Sequence, residues 1–157
     1  MNAFRLTLLA TLLCAAGLAQ ADLKIGVIAS STGVTAVVGM PQKNTVALLP
    51  AEIGGQKVEY IVLDDASDPT NAVTNVKKLL SEHKVDALIG PTTTPAALAM
   101  LDFVAESKTP LVTTVGSSAL VQPMDEKKKW VFKTTQNDDL IAEAVIEHMS
   151  KTGVKTI

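Results

Sequence analysis

The sequence has 157 residues, with 14 Lys and Arg against 16 Asp and Glu, so its net charge is −2 when both His are neutral. Nucleic-acid binding is usually marked by a basic face, and this slightly acidic composition gives no support for that class of partner. The length suits one domain.

Residues 1–21 have the pattern of a secretory signal peptide. A single Arg precedes an apolar run over residues 6–18, and small residues stand three and one places before Asp22. The run is shorter than the roughly 20 apolar residues that span a bilayer, and the alternative is a buried N-terminal helix. The only cysteine, Cys14, lies in this run and follows a leucine, which does not suit a lipidation site. We therefore predict an exported, periplasmic protein whose mature chain has no disulfide and depends on a packed core.

Short apolar runs rich in β-branched residues predict buried strands of a parallel sheet. In chain order they cover residues 23–29, 58–63, 85–89, 111–114 and, with a weaker pattern, 130–133. Helical spacing of apolar residues predicts helices between and after them, over residues 69–83, 95–107 and 138–152.

Helix ends are marked by specific residues. Asp68 is predicted to cap the helix at residues 69–83 and Pro69 to occupy its first turn. Gly153 is predicted to end the last helix. Residues 42–53 begin with a helical pattern that Pro50 should end, and two glycines follow as a turn into the next strand.

Alternating strands and helices predict an α/β fold, with a parallel sheet and helices on both of its faces. The residues after Gly153 have the pattern of a new strand, so we expect the protein to continue beyond Ile157.

Hydroxyl side chains and glycines collect where three of the predicted strands end. They are Ser30, Ser31, Thr32, Gly33 and Thr35 after the first strand, Thr92, Thr93 and Thr94 after the third, and Thr113, Thr114, Gly116, Ser117 and Ser118 after the fourth. In open α/β sheets, ligands bind beyond the carboxyl ends of the strands. A helix start adds unpaired N–H groups and a partial positive charge, so these loops can hold a carboxylate without Arg. The alternative is that Thr94 only caps the helix at residues 95–107, which explains one threonine but not three loops.

Other polar features favour structural roles. Asp64 and Asp65 could form a metal or phosphoacceptor pair, but no third carboxylate accompanies them, so we predict that they cap a loop. His83 and His148 are about 65 residues apart without a metal-ligand pattern. The Lys-rich stretch at residues 121–129 is predicted to be a solvated turn. No nucleophile elbow, Walker loop, zinc motif or dinucleotide loop is present, so we predict neither an enzyme nor a cofactor or metal site in this portion.

Several motifs in this order carry a family resemblance. They are S-x-T-G at residues 30–33, YIVLDDASDPTNAV at 60–73, VDALIGPTTTPAALA at 85–99, TPLVTTVGSS at 109–118 and WVFKTTQND at 130–138. The chain resembles the periplasmic solute-binding proteins of branched-chain amino acid ABC transporters, the leucine/isoleucine/valine-binding class. The resemblance covers essentially all of residues 22–157.

The resemblance implies a type I periplasmic binding protein, in which two lobes close over a ligand. Residues 22–134 would form the first lobe, and residues 135–157 would be the crossing segment and the start of a second lobe. Two loops of the first lobe hold the ligand in relatives, and they place Thr93, Thr94, Gly116, Ser117 and Ser118 at the site. Val38, in the loop after the first strand, would cover the ligand.

Two departures from the family bear on the ligand. Some relatives have a disulfide between the segments of Ser67 and Thr93, and some have an aromatic residue where Val38 stands; this sequence has neither. The resemblance implies a small carboxylate ligand, either a branched-chain amino acid or an aromatic acid, and a membrane permease as partner. The alternatives are a ligand-sensing domain of the same fold that signals, and an α/β enzyme of unrelated chemistry.

Overall fold

The computed structural model describes residues 22–154 and residue 156. The signal peptide predicted for residues 1–21 lies outside the described residues, as do Lys155 and Ile157 in the strand predicted at the end of the chain. The strands are β1 (Leu23–Ala29), β2 (Glu52–Ile53), β3 (Gln56–Asp64), β4 (Ala87–Ile89), β5 (Leu111–Thr113) and β6 (Val131–Lys133). The α-helices are α1 (Ala36–Thr45), α2 (Pro69–Lys78), α3 (Thr94–Ser107) and α4 (Asp138–Thr152).

The strands form one sheet in the order β2-β3-β1-β4-β5-β6. All neighbours are parallel except the β2–β3 pair. The chain runs from β1 to β3 on one side and then returns to β4 on the other side of β1. The gap between the carboxyl ends of β1 and β4 is therefore the switch point of the sheet, where ligands of such folds bind. The predicted α/β class with a parallel sheet is confirmed.

One face of the sheet carries the main hydrophobic core. Helices α2 and α3 pack together on this face, over Gly26 and Ile28 of β1 and Leu88 of β4. The fully buried side chains of this core include Ile28, Val76, Leu79, Leu88, Met100, Val104, Leu111 and Leu120. Because side chains alternate along a strand, Val27 and Ala29 face the other side of the sheet. There they line a cavity with Thr45, Val46 and Leu49 at and just after the end of α1, so helices lie on both faces.

Most elements agree with the sequence predictions. β1 and α4 have the predicted ends, and β3, β4, β5 and β6 differ from prediction by one or two residues at their ends. Asp68 caps α2 as predicted, because its Oδ1 accepts the Thr70 N–H at 2.7 Å. A π-helical turn at Leu79–His83 continues α2 to the predicted end. Gly153 ends α4 in the left-handed conformation, with φ of 73°.

Residues 42–53 begin as a helix that ends before Pro50, as predicted, but the bounds of that helix differ and a strand was missed. Helix α1 begins earlier, at Ala36, and a single 3-10 turn follows it at Val46–Leu48. Residues Glu52–Ile53 form a strand instead, paired antiparallel with the start of β3. The cause is the Gly54–Gly55 turn, where both residues have positive φ. Such a two-residue turn matches the twist of a hairpin and pairs the residues on either side of it.

Helix α4 has the predicted apolar stripe, but none of its residues is buried. Leu140, Ile141, Val145 and Ile146 are each between 45% and 65% exposed. The helix is joined to the sheet domain at its start, where the Asp138 N–H donates to the Gly116 carbonyl at 3.0 Å. Of the helices within the described residues, none is long and apolar enough to cross a membrane.

Candidate functional site

The hydroxyl-rich loops after β1, β4 and β5 meet at one edge of the sheet. The Ser30 N–H donates to Thr92 Oγ1 at 2.9 Å, across the switch point between β1 and β4. Thr114 Oγ1 donates to the Pro91 carbonyl at 3.0 Å, which joins the loops after β4 and β5. The three loops that the sequence singles out therefore form one contiguous surface.

Gly90 sets the course of the loop after β4. Its φ is 109°, a conformation open to glycine but rarely to other residues. A Cβ added at Gly90 would lie less than 3 Å from the backbone oxygen of Ile28, closer than real Cβ atoms come. The loop thus crosses directly over the end of β1 before it reaches the threonines.

The threonines after Gly90 begin helix α3. The alternative in which Thr94 only caps this helix is wrong: Thr94 is the first helical residue, and Thr93 is the cap. Thr93 has an extended backbone, and its carbonyl accepts the Ala97 N–H at 3.0 Å, the first bond of the helix. Its side chain makes no capping bond. Within residues 22–154 the hydroxyls of Thr93 and Thr94 have no hydrogen-bond partner, so both remain available beside the helix N-terminus.

In the loop after β5, some polar groups have hydrogen-bond partners within the described residues and one hydroxyl does not. Ser117 is half-buried and precedes a 3-10 turn, Ser118–Leu120, that its side chain does not cap. Ser118 Oγ donates to Asp139 Oδ2 at 2.9 Å. The Gly116 carbonyl accepts from the Asp138 N–H and from Lys133 Nζ. Of the predicted residues in this loop, only Ser117 keeps an unused hydroxyl among the described residues.

The hydroxyls after β1 serve the fold. Ser30 is buried and its Oγ donates to Asp65 Oδ1 at 2.6 Å. Thr32 Oγ1 donates to Asp64 Oδ2 at 2.6 Å. Thr35 contacts Ser67 through both its N–H and its hydroxyl. The sequence predicted that this loop binds the ligand together with the other two. Most of its hydroxyls instead form hydrogen bonds with the turn after β3.

The family resemblance placed Val38 in the loop after the first strand, and this placement is wrong. Val38 lies on α1 and is 52% exposed. The helix can start this early because Gly39 has no side chain: a Cβ there would overlap the Ser30 backbone.

The carboxylates after β3 cap their turn, as predicted. Asp65 also accepts the Ser67 N–H at 3.0 Å, and its second oxygen is buried without a partner among the described residues. Partial burial would raise the pKa of Asp64, but hydrogen bonds from the Thr32 hydroxyl and the Ala66 N–H, among others, lower it to about 2. These bonds hold Ala66 and Ser67 in positive φ. No group of three His, Cys, Asp or Glu side chains in the described part of the chain is placed to hold a metal.

Sequence reasoning missed Gln42, on α1. Thr92 Oγ1 donates to Gln42 Oε1 at 2.6 Å, and Gln42 Nε2 donates to Thr114 Oγ1 at 3.2 Å. Gln42 also lines a mostly apolar cavity of about 200 Å³ between α1 and the sheet. No local motif marks it, because its partners are 50 and 72 residues away in the sequence.

Comparison with known proteins agrees with this arrangement. A profile described as "Periplasmic binding protein" matches residues 22–157. The chain belongs to the periplasmic binding protein family.

Several relatives of this periplasmic binding protein have names or solved structures. The Leu/Ile/Val-binding protein BraC3 of Rhizobium johnstonii is 31% identical to it; the match covers 92% of this chain and 41% of BraC3. An extracellular ligand-binding receptor from Rhodopseudomonas palustris HaA2 is 54% identical, with a TM-score of 0.83 over 85% of this chain and 37% of the receptor. A solute-binding protein of an ABC transporter from Rhodopseudomonas palustris BisB5, in complex with 3,4-dihydroxybenzoic acid, is 25% identical. Its TM-score is 0.77, over 85% of this chain and 37% of that protein.

The chain spans about two fifths of the length of these relatives. These relatives are named as binding proteins or ligand-binding receptors rather than as enzymes.

Proposed function

We propose that this chain carries the first ligand-binding lobe of an extracytoplasmic solute-binding component of an ABC importer. In this proposal residues 1–21 direct export to the periplasm, and residues 22–134 form the lobe. Residues 135–157 are the crossing segment and the start of a second lobe. The ligand is a small carboxylate, held at the loops after β4 and β5.

The observation that carries this proposal is a set of free neutral donors beside a helix start. Thr93 and Thr94 have hydroxyls without partners among the described residues at the N-terminus of α3, and Ser117 has such a hydroxyl in the loop after β5. The first N–H groups of that helix have no intrahelical acceptor and carry a partial positive charge. A carboxylate would accept bonds from both kinds of donor. Gly116 lies in the same loop as Ser117, and its lack of a side chain leaves room for the Asp138 carboxylate.

Two of the predicted residues, Ser118 and Val38, are weaker members of the proposed site. The Ser118 hydroxyl already donates to Asp139, so Ser118 supports the loop through that bond. Val38 is exposed on α1 and offers an apolar surface, which suits contact with the apolar part of a ligand better than with its carboxylate.

The ligand class follows from what the relatives' ligands share. BraC3 is named for leucine, isoleucine and valine, and the BisB5 protein is described with 3,4-dihydroxybenzoic acid. These compounds have different side groups, but each has a carboxylate. The neutral donors of this lobe suit that common group, and the remaining part of the ligand would be read by residues outside this chain segment.

The binding lobe would act by closure. A ligand shifts an open–closed equilibrium only by its greater affinity for the closed state. The closed form would then present a surface to the membrane permease.

The test is a thermal-shift screen of the full-length protein against branched-chain amino acids, hydroxybenzoates and the carboxamide of each. A ligand that binds only the folded state raises the melting temperature. We expect at least one acid to raise it and the matching carboxamide to have a much smaller effect, since the carboxamide has no negative charge for the helix start. Equal shifts by an acid and its amide, or no shift by any acid, would contradict the proposal.

A further inference from the structure

We infer that Gln42 is a positioning residue, which holds the three loops of the ligand site in one arrangement without itself contacting the ligand. The inference rests on the proposed function for its ligand-binding consequence. The coupling between the loops rests only on the hydrogen bonds described above.

Two threonine hydroxyls are fully occupied by this network. Thr92 Oγ1 accepts the Ser30 N–H and donates to Gln42 Oε1. Thr114 Oγ1 accepts from Gln42 Nε2 and donates to the Pro91 carbonyl. Each hydroxyl has one proton, and each proton has one acceptor. Neither Thr92 nor Thr114 is therefore left to donate to a ligand.

The same matching of each hydroxyl proton to one acceptor fixes the orientation of the Gln42 amide. If its oxygen and nitrogen were exchanged, the nitrogen would face Thr92 Oγ1, and the Thr92 proton would lose its acceptor. Thr114 would then have to choose between the amide oxygen and the Pro91 carbonyl for its single proton. Only the observed orientation uses both hydroxyl protons and both amide groups.

The network connects elements that the sheet alone does not align at this edge. It runs from the end of β1 at Ser30, through the loop after β4, to α1, and on to the loop after β5. Hydrogen bonds in such a chain polarise one another, so the loss of the central member weakens the rest. Thr93 follows Thr92 directly, and Ser117 lies three residues after Thr114, so their directions depend on these bonds.

The matched variants are Gln42→Met, Gln42→Glu and Asn44→Ala. Methionine has a similar length but no amide. Glutamate keeps an acceptor for Thr92 but loses the donor to Thr114. Asn44 is an exposed amide on the same helix whose side chain has no partner among the described residues, so Asn44→Ala is the control.

Two readouts on the full-length protein separate positioning from general stability. The first is hydrogen exchange of the Ser30 amide without ligand, which reports its bond to Thr92. The second is the affinity for the carboxylate found in the thermal-shift screen. We expect Gln42→Met to speed Ser30 exchange and to weaken binding by about ten-fold, the size of one lost hydrogen bond. We expect Gln42→Glu to restore Ser30 protection while binding stays weakened, and Asn44→Ala to change neither.

Unchanged Ser30 exchange in Gln42→Met would overturn the coupling of the loops, and faster exchange with unchanged affinity would overturn the role in ligand binding. A wild-type protein that binds none of the carboxylates would refute the proposed function instead. In that case faster Ser30 exchange in Gln42→Met would still support the coupling of the loops.

Discussion

Substitution of Gly90 tests whether the path of the loop after β4 depends on a missing side chain. Gly90→Ala places a Cβ against the Ile28 carbonyl and forces a non-glycine residue to φ of 109°. The backbone strain costs about 1–3 kcal/mol, and the steric overlap adds about 1–3 kcal/mol. We expect the free energy of unfolding to fall by about 2–6 kcal/mol, a large part of the stability of an ordinary domain.

The matched control is Gly54→Ala in the β2–β3 turn. Gly54 also has positive φ, 59°, but no atom lies within 4 Å of an added Cβ. It should therefore lose only the backbone contribution, about 1–2 kcal/mol. Urea denaturation of the full-length protein measures both, and the denaturant slope should stay unchanged. Equal losses for the two variants would refute the reasoning, because they would show that the contact with Ile28 adds nothing.

The other predictions concern the site and the turn after β3. Ser117→Ala should weaken carboxylate binding by about 1–3 kcal/mol in calorimetry, since a buried polar partner loses its bond; Ser118→Ala should weaken it less, and a larger effect at Ser118 would contradict the assignment. Asp64 has a pKa of about 2, below its usual 3.8, so its stabilising contribution is present above about pH 4 and is lost as the pH falls toward 2. Asp64→Asn should therefore be less stable than wild type at neutral pH, by no more than about 1 kcal/mol because the group is exposed, and denaturation curves of the two proteins should converge near pH 2. Asp65→Ala leaves the buried Ser30 hydroxyl without its acceptor and should cost about 1–3 kcal/mol; a neutral effect in urea denaturation would show that the turn does not need this carboxylate.

The fold could be predicted from local patterns because its elements are locally encoded. The apolar run at residues 23–29 and the stripe of α4 fix those elements with the observed ends. Asp68 followed by Pro69 marks a helix start by geometry that involves only neighbours. The β2–β3 hairpin was missed because Gly54–Gly55 was interpreted only as a turn into the next strand, and the two residues before it are too few to show a strand pattern.

The position of the candidate site could be predicted from the sequence, but the side chains that are free to donate there could not. The positions of strand ends are local, so the convergence of the three loops follows from the parallel sheet. The sequence does not show which hydroxyls are free, because their partners are distant in the chain. The Ser30 hydroxyl donates to Asp65, and the Thr92 hydroxyl donates to Gln42. The number of hydroxyls in the sequence overstated how many donors the loop after β1 has free for a ligand. It also gave no sign of Gln42, which holds the loops together.

The loop that carries Ser117 also holds the start of α4, so at the proposed site ligand binding would be linked to the position of that helix. The Gly116 carbonyl accepts the Asp138 N–H, and Ser118 donates to Asp139. An added Cβ at Gly116 would overlap the Asp138 carboxylate, so the loop and the helix start lie in direct contact. In the proposed two-lobed protein, a ligand bound at Ser117 would therefore bias the orientation of α4 through residues on either side of it.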